Sequence, residues 1–423
     1  MIQLSILRND PKSIIQRLSI KNFKAANLID EILLCDDNRR ITQKTLDDNL
    51  AQSNKIAKTI GDFYKSGKIE EANHLKEATV ELKKNAKNIE ENLKALEATL
   101  NKLLVQLPNL PHISVKPGKT TEDNEIVFSD GKIPDLPKAA LPHWDLASKY
   151  NIIDFELGNK ITGAGFPIYK GKGAKLQRAL INFFLDSAID AGFIEIQPPL
   201  MVNEASAYGT GQLPDKDGQM YYACADNLYL IPTAEVPVTN LYRDVILKEN
   251  DFPIKNVAYS SCFRREAGSY GKDVRGLNRL HQFDKIEIVQ IQHPARSYET
   301  LEEMREYVCG LLRKLELPFR VLKLCGGDMS FTSALTYDLE VFSAAQKRWL
   351  EVSSVSNFES FQANRMKLRY KTDDGKINFA HTLNGSALAL PRIVASLLEN
   401  NQTEQGIIIP KALIKYTGFA IIN

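Results

Sequence analysis

Ser260 to Gly276 reads SSCFRREAGSYGKDVRG, and HQFDKIEIV follows at 281–289. Two strand-like runs with a glycine-rich basic loop between them predict a β-hairpin. Strand side chains alternate faces, so Arg264 and Glu266 are expected on one face and Arg265 on the other. In the returning strand Phe283, Lys285 and Glu287 share a face, while Ile286 and Ile288 face a core. A carboxylate inside an apolar strand needs a partner or a task. Two readings stand side by side. One is a structural Arg–Glu pair across the hairpin. The other is the floor of a site, with arginine for phosphate or carboxylate, Phe283 for stacking on a base and Glu287 for a ligand's donors. Arginine suits phosphate because its planar fork bonds two oxygens and keeps its proton. The loop between the two strands, Gly268–Gly276, carries Lys272 and Arg275, with Tyr270 at its tip.

The same anomaly recurs twice. WLEVSS puts Glu351 in an apolar strand, followed by Ser353 and Ser354. A carboxylate with a nearby hydroxyl suits a hard cation such as Mg²⁺, and an edge-strand glutamate satisfied by its neighbours fits equally. ALALPRIVASLLENN reads as a late helix, with Pro391 tolerated in its first turn and Arg392 on an otherwise apolar face, as a ligand contact or a capped core pair. No GxxxxGK[ST] loop is present, so a nucleotide would have to be held by side-chain arginines.

Working outward, the chain divides near Pro108–Pro111. Leu82, Ala86, Ile89, Leu93, Leu96, Leu100, Leu103 and Leu107 alternate spacings of four and three, a sustained heptad seam. A weaker helical stripe carries Leu28, Ile32, Leu46, Leu50, Ile56, Ile60 and Phe63, and KSGK at 65–68 supplies the turn between. The two helices must lie antiparallel, and ~40 residues at ~1.5 Å each project roughly 60 Å. The arm is either a dimerisation coiled coil or a probe for a large ligand. Lys68 to Gln106 holds seven lysines and seven glutamates, so the second helix is no basic stripe.

Beyond the hairpin, a proline-rich connector gives way to short strands and amphipathic helices without regular βαβ spacing. The fold class is α+β: an N-terminal long antiparallel helical hairpin (coiled coil) over 1–110, then a mostly antiparallel sheet flanked by helices over 111–423, with 111–150 as connector. GAKLQRALINFFLDSAIDAG is a helix stopped by Gly192, and FIEIQPPLMV is a strand broken by Pro198–Pro199.

The 423 residues are 43% hydrophobic and 25% charged with a net charge of +2, so a polyanion would need a local basic patch. No apolar run approaches the ~20 residues of a membrane span, and the N-terminus lacks a signal-peptide pattern. Five cysteines without ligand spacing read as reduced thiols in the cytoplasm, and no structural zinc is expected.

With these residues in hand, the chain resembles bacterial-type seryl-tRNA synthetases, a class II aminoacyl-tRNA synthetase family, nearly end to end. GFIEIQPPLMVN resembles motif 1 of that class and PTAEVPVTN the serine-pocket segment. CFRREAG with GKDVRGLNRLHQFDKIE resembles motif 2, and LNGSALALPRIVASLLEN motif 3. PHISVKPGKTTEDN is similar to the family's connector and the helical hairpin to its tRNA-binding arm. In order and together, these segments are highly specific.

The resemblance implies a serine–tRNA ligase. ATP and L-serine give seryl-adenylate, and the seryl group passes to tRNA(Ser), with tRNA(Sec) permitted. It implies a homodimer through motif 1 and no membrane association. It assigns Arg264, Glu266 and Arg392 to catalysis. The ATP site would comprise Arg264, Arg265, Glu266, Leu280, His281, Gln282, Phe283, Glu351, Val352, Ser353, Ser354 and Arg392. Within it, Arg264 bridges the serine carboxylate and α-phosphate, Glu266 reads the adenine amino group, Phe283 stacks on adenine and Arg392 binds the γ-phosphate. Serine would meet Thr233, Ala234, Glu235, Arg264, Glu287 and Ser386, and Glu351 and Ser354 would hold Mg²⁺. A pocket that satisfies the substrate hydroxyl rejects alanine and glycine, because they leave buried polar groups unpaired. Ala387 and Pro391 stand where the family commonly has glycine, and the proline bears on the approach of Arg392.

Overall fold

The computed structural model describes residues 1–266 and 275–423. They form two compact units, Met1–Ser19 with Phe23–Pro108, and Ile20–Asn22 with Asn109–Asn423.

In the first unit, helix α1 (Ala26–Lys65) and helix α2 (Ile69–Leu104) form the expected hairpin. Gly67 turns the chain at a φ of 78°, which costs glycine nothing. Along the seam Ala86, Leu93 and Leu100 are buried, while Leu82, Ile89, Leu96 and Leu103 are half-buried. Two helices cover one side of each other, so alternate seam positions stay partly open. Leu46 packs with Ala86 and Leu93. Leu50, expected in the stripe of the first helix, is 42% exposed. Past Leu46 the expected Ile56, Ile60 and Phe63 do lie inward, but Asn49 and Ser53 take the positions before them in place of Leu50, all five half-buried. Two polar letters on the seam hid its register.

Asp36 is buried near the base of α1. Arg8 donates to it at 2.6 Å and Arg39 at 2.9 Å. Burial alone would raise this carboxyl, but the two arginines outweigh it and hold it below the ordinary carboxylate range.

In the second unit the main sheet comprises β1 (Glu125–Asp130), β2 (Ile194–Glu195), β3 (Ile254–Phe263), β4 (Gln282–Gln292), β5 (Phe319–Lys323), β6 (Leu335–Ser343), β7 (Arg348–Asn357) and β8 (His381–Ala389). Their spatial order is β1-β5-β6-β7-β8-β4-β3-β2. Every neighbouring pair is antiparallel except β2 with β3. Five helices matter to the site: α3 (His143–Lys149), α4 (Gly171–Asp190), α5 (Glu235–Asn240), α6 (Ser297–Lys314) and α7 (Leu390–Asn400). Leu180 and Phe184 of α4, Leu301 and Val308 of α6, and Ile393 and Leu397 of α7 share one core with Ile286, Ile288, Val352 and Val355 of the sheet. The opposite sheet face carries polar groups and α5, and beyond them a second apolar cluster in which Ile291 packs with Ala363, Met366 and Leu368.

Three local expectations change. The first hairpin strand ends at Phe263, so Arg264, Arg265 and Glu266 lie beyond it and alternation does not set their faces. Their backbone turns away: the Arg264 amide bonds His281 O, the Arg265 amide bonds Gln219 O, and Glu266 has a φ of 52°. Second, the late helix starts at Leu390; Ala387–Ala389 finish β8, a strand the sequence reading missed. β8 is central and mostly buried on both faces, so it carries no apolar–polar alternation. Pro391 does stand in the first turn of α7. Third, the connector contributes β1, the strand at one edge of the sheet.

Asp36→Ala should leave two cations without their anion and lower stability by about 1–3 kcal/mol. Circular dichroism melts of the full chain at neutral pH check this. The folded carboxyl has the lower pKa, so its contribution is complete above the ordinary carboxylate range and fades below it. Wild type and variant should therefore converge in acid, and an unchanged neutral midpoint would refute the ion cluster's role.

Candidate active site

The expected hairpin exists, with Phe283 opposite Cys262 and Glu287 opposite Ala258. On β4 the even-numbered Ile286 and Ile288 enter the core, which turns Lys285 and Glu287 to the other face. There Lys285 Nζ lies 2.6 Å from Glu287 Oε2 and donates to Thr233 Oγ1 at 2.9 Å. Ser386, opposite Glu287 on β8, donates to the same Oε2 at 3.4 Å. Glu287 is therefore paired, with a lysine two residues before it rather than with an arginine across the hairpin. Lys285 is the member of this cluster that sequence reasoning left unassigned, although its placement on the Glu287 face was the available signal.

Glu235 opens α5 and is buried beside this pair. Gln362 donates to its Oε1 at 2.7 Å, and its own amide bonds Thr233 Oγ1 at 3.2 Å. Burial, and then the charge of Glu287, push its carboxyl up to about 7 against the pull of Gln362, Lys285 and Asn384. Gln362 is in turn held by Thr382, whose hydroxyl donates to it at 2.7 Å. Ala234 packs with Val238, Ala258 and Val289 and closes the pocket's apolar side. Two carboxylates, one ammonium and three hydroxyls thus line a small buried recess.

Beside the recess the Arg264 guanidinium lies over the Phe283 ring, 5.2 Å from its centroid. Glu266 pairs with Arg279, a partner that the sequence reading did not name. Arg265 and Gln282 are exposed, and Leu280 is buried in the core. The His281 ring stacks on Phe166 at 5.4 Å and shares a 2.7 Å hydrogen bond with the Tyr221 hydroxyl. Lys272, Tyr270 and the rest of 267–274 lie outside the described residues. Arg275, at the exit of that segment, stacks on Trp144 at 4.5 Å.

Glu351 and Ser354 come together through a bulge. Leu339 pairs with Ser353 and Glu340 with Glu351, leaving Val352 as the extra residue of β7. Val352 and Val355 both enter the core, so Glu351 and Ser354 share the outer face. Val352 thus offers a site only its backbone, and Ser353 donates to Ser386 O at 2.6 Å. Asp338, opposite Ser354, has a buried Oδ1 without a hydrogen-bond partner. Burial and then Glu351 hold its carboxyl well above the ordinary range, against a hydrogen bond with Ser354. Carboxylates and a hydroxyl around an unsatisfied oxygen fit a small hard cation. Arg392 closes this side: Nε donates to Asn278 O at 3.0 Å, and Nη1 donates to Glu351 O at 2.7 Å.

Residues 1–111 match the seryl-tRNA synthetase N-terminal domain, and 222–401 match the class II tRNA synthetase core domain (G, H, P, S and T). A serine–tRNA ligase of Salinibacter ruber is 50% identical, over all of this chain and 99% of the relative. The chain belongs to the seryl-tRNA synthetase family. Among solved structures, a Pyrococcus horikoshii seryl-tRNA synthetase complexed with ATP superposes with a TM-score of 0.92 at 33% identity, covering all of this chain and 99% of that one. A cytoplasmic serine–tRNA ligase of Naegleria fowleri in complex with AMP gives 0.87 at 26% identity over the same shares. Both family segments join in one chain here, helical hairpin first and class II sheet second.

Glu235 carries a testable consequence of its burial. Its folded pKa of about 7 exceeds the model-peptide value of 4.5, so between these values the folded state holds a proton that the unfolded state has released. Stability of the ligand-free protein should therefore fall as pH rises through that window. Glu235→Gln should flatten that part of the Tm–pH curve, and parallel curves for variant and wild type would overturn the assignment.

Proposed function

We infer that the chain is an active serine–tRNA ligase, and one observation carries the reading. The buried Lys285–Glu287–Ser386–Thr233 recess, lined by groups that suit an ammonium and a hydroxyl, lies beside the Arg264–Phe283 pair. Serine's ammonium would take Glu287 and Glu235, and its hydroxyl Ser386, with Thr233 and Ala234 as walls. Arg264 would bridge the serine carboxylate and the α-phosphate of ATP, with Arg265 beside it. Phe283 would stack on adenine, Glu266 would accept from its amino group, and Leu280, His281 and Gln282 would line that pocket. Arg392 would take the γ-phosphate.

A carboxylate oxygen of serine attacks the α-phosphorus, the bond to the β-phosphate oxygen breaks, and pyrophosphate leaves. A terminal ribose hydroxyl of tRNA then attacks the acyl carbon and AMP departs. No enzyme nucleophile is required. The protein contributes position and neutralisation of phosphate charge. Glu351 and Ser354, with the Val352 and Ser353 backbone between them, would hold Mg²⁺, which when bound neutralises phosphate oxygens.

The helical hairpin within 1–110 would grip tRNA(Ser), and tRNA(Sec) falls within the same reading. The catalytic domain would run over 111–423, with 111–150 as connector. Exposed Ile194, Leu200 and Met201 around motif 1 support a homodimer through that edge. Five cysteines without disulfides agree with a cytoplasmic setting. No helix among the described residues is long and apolar enough to cross a membrane.

Serine-dependent exchange of pyrophosphate into ATP is the decisive assay, and its absence, or stronger exchange with another amino acid, would overturn the reading. Glu287→Ala should abolish serine activation while ATP still binds, and unchanged serine affinity by calorimetry would refute the pocket. Deleting residues 40–90 should spare adenylate formation and abolish tRNA charging. Equal loss of both would assign the arm to folding or dimerisation instead.

A further inference from the structure

A buried polar cluster apart from the recess centres on Glu399, in the last turn of α7, and His143, at the start of α3; both are 0% exposed. Glu399 Oε1 accepts from the His143 amide at 2.9 Å, contacts His143 Nδ1 at 2.7 Å and accepts from Gln346 at 2.9 Å. Its Oε2 accepts from the Ser343 hydroxyl. The other ring nitrogen, His143 Nε2, accepts from the Leu277 amide at 2.8 Å. An amide can only donate, so Nε2 is the acceptor and the ring proton lies on Nδ1, toward Glu399. Gly276 stands against the ring at a φ of 65°; a Cβ there would run into His143 Nε2. The close approach of this backbone to the imidazole therefore requires glycine.

What the cluster holds is the short segment Arg275–Arg279. Arg275 stacks on Trp144, the neighbour of His143. Leu277 is pinned to His143. Asn278 donates to Gln346 at 3.1 Å, while its carbonyl accepts from Arg392. Arg279 pairs with Glu266. Arg392 and Glu399 lie seven residues apart on α7, two helical turns or about 10 Å. The contacts therefore close a circuit from Arg392 through Asn278 and Leu277 to His143, to Glu399 and back along the helix. We propose that the His143–Glu399 pair is a positioning device for ATP: by fixing Leu277 it sets the register of Arg275–Arg279, and with it the placement of Glu266 and Arg392. The pair touches no substrate. Its effect passes through the segment that holds two residues assigned to the nucleotide, and it reaches nothing in the serine recess. This inference rests on the assignment of Glu266 and Arg392 to ATP.

Steady-state pyrophosphate exchange, with ATP and serine varied separately, tests it on the full-length protein. His143→Leu removes both ring hydrogen bonds and should raise KM for ATP about tenfold, as expected for losing one positioning interaction, while KM for serine stays within about twofold. His143→Gln offers an oxygen for the Leu277 amide and an amide proton for Glu399, and should recover most of the loss. Gly276→Ala keeps both side chains of the pair but drives a Cβ against His143 Nε2, where the Leu277 amide is held, and should reproduce the ATP effect even if His143→Leu does not fold. An unchanged KM for ATP in Gly276→Ala, or equal rises for ATP and serine, would overturn the proposal. A wild type without serine-dependent exchange would instead sink the ligase reading, so the two failures are distinct.

Discussion

A buried charge in this sheet persists only where an opposite charge or hydrogen-bond donors meet it, and the second unit is organised around that constraint. Lys285 and Glu287 lie on the same face of one strand, 2.6 Å apart at their charged ends. Their neighbours Ile286 and Ile288 bury on the other side against α4, α6 and α7. The sheet thus carries one apolar face and a second face that is polar around Lys285 and Glu287, where desolvation is expensive. The recess is the place where that second face is fully satisfied. Thr233, Gln362 and the β8 residues Thr382 and Ser386 supply hydrogen bonds from three separate segments, so the recess exists only when those segments are packed.

The groups proposed for the nucleotide follow a different rule. Its groups are less buried, and each is held by contacts that reach back into the protein: Arg264 over Phe283, Glu266 on Arg279, Arg392 on two carbonyls. Side chains that must meet a highly charged substrate cannot be locked in a dry core, because their charge would then need a permanent partner. They are instead positioned from behind. The His143–Glu399 cluster is the deepest of these supports, and all of its polar atoms named above have partners.

Much of this was legible in the letters. The heptad spacing of the second arm helix, the glycine turn at 65–68, the alternation on β4, and Pro391 in a first helical turn are local properties, written within a few residues. The charge anomalies at Glu287, Glu351 and Arg392 also stood out, because a charge inside an apolar run is visible without knowing the partner. The first arm helix was harder, since Asn49 and Ser53 occupy seam positions and the apolar letters shift to Leu50. β8 was missed because a strand covered on both faces has no alternation to read.

By itself the sequence determined where helices and strands with a clear period would form, and which charges would be costly. It also carried the resemblance that placed these charges in one family. The tertiary structure decided who pays each charge's cost. It made Lys285 the partner of Glu287, inserted Val352 as a bulge so that Glu351 and Ser354 share a face, turned the chain after Phe263, and brought His143 to Glu399 across 256 residues. Periodicity is a property of neighbours along the chain and can be read from it. Pairing of buried polar groups is a property of neighbours in space, and it is settled only when distant segments close on one another.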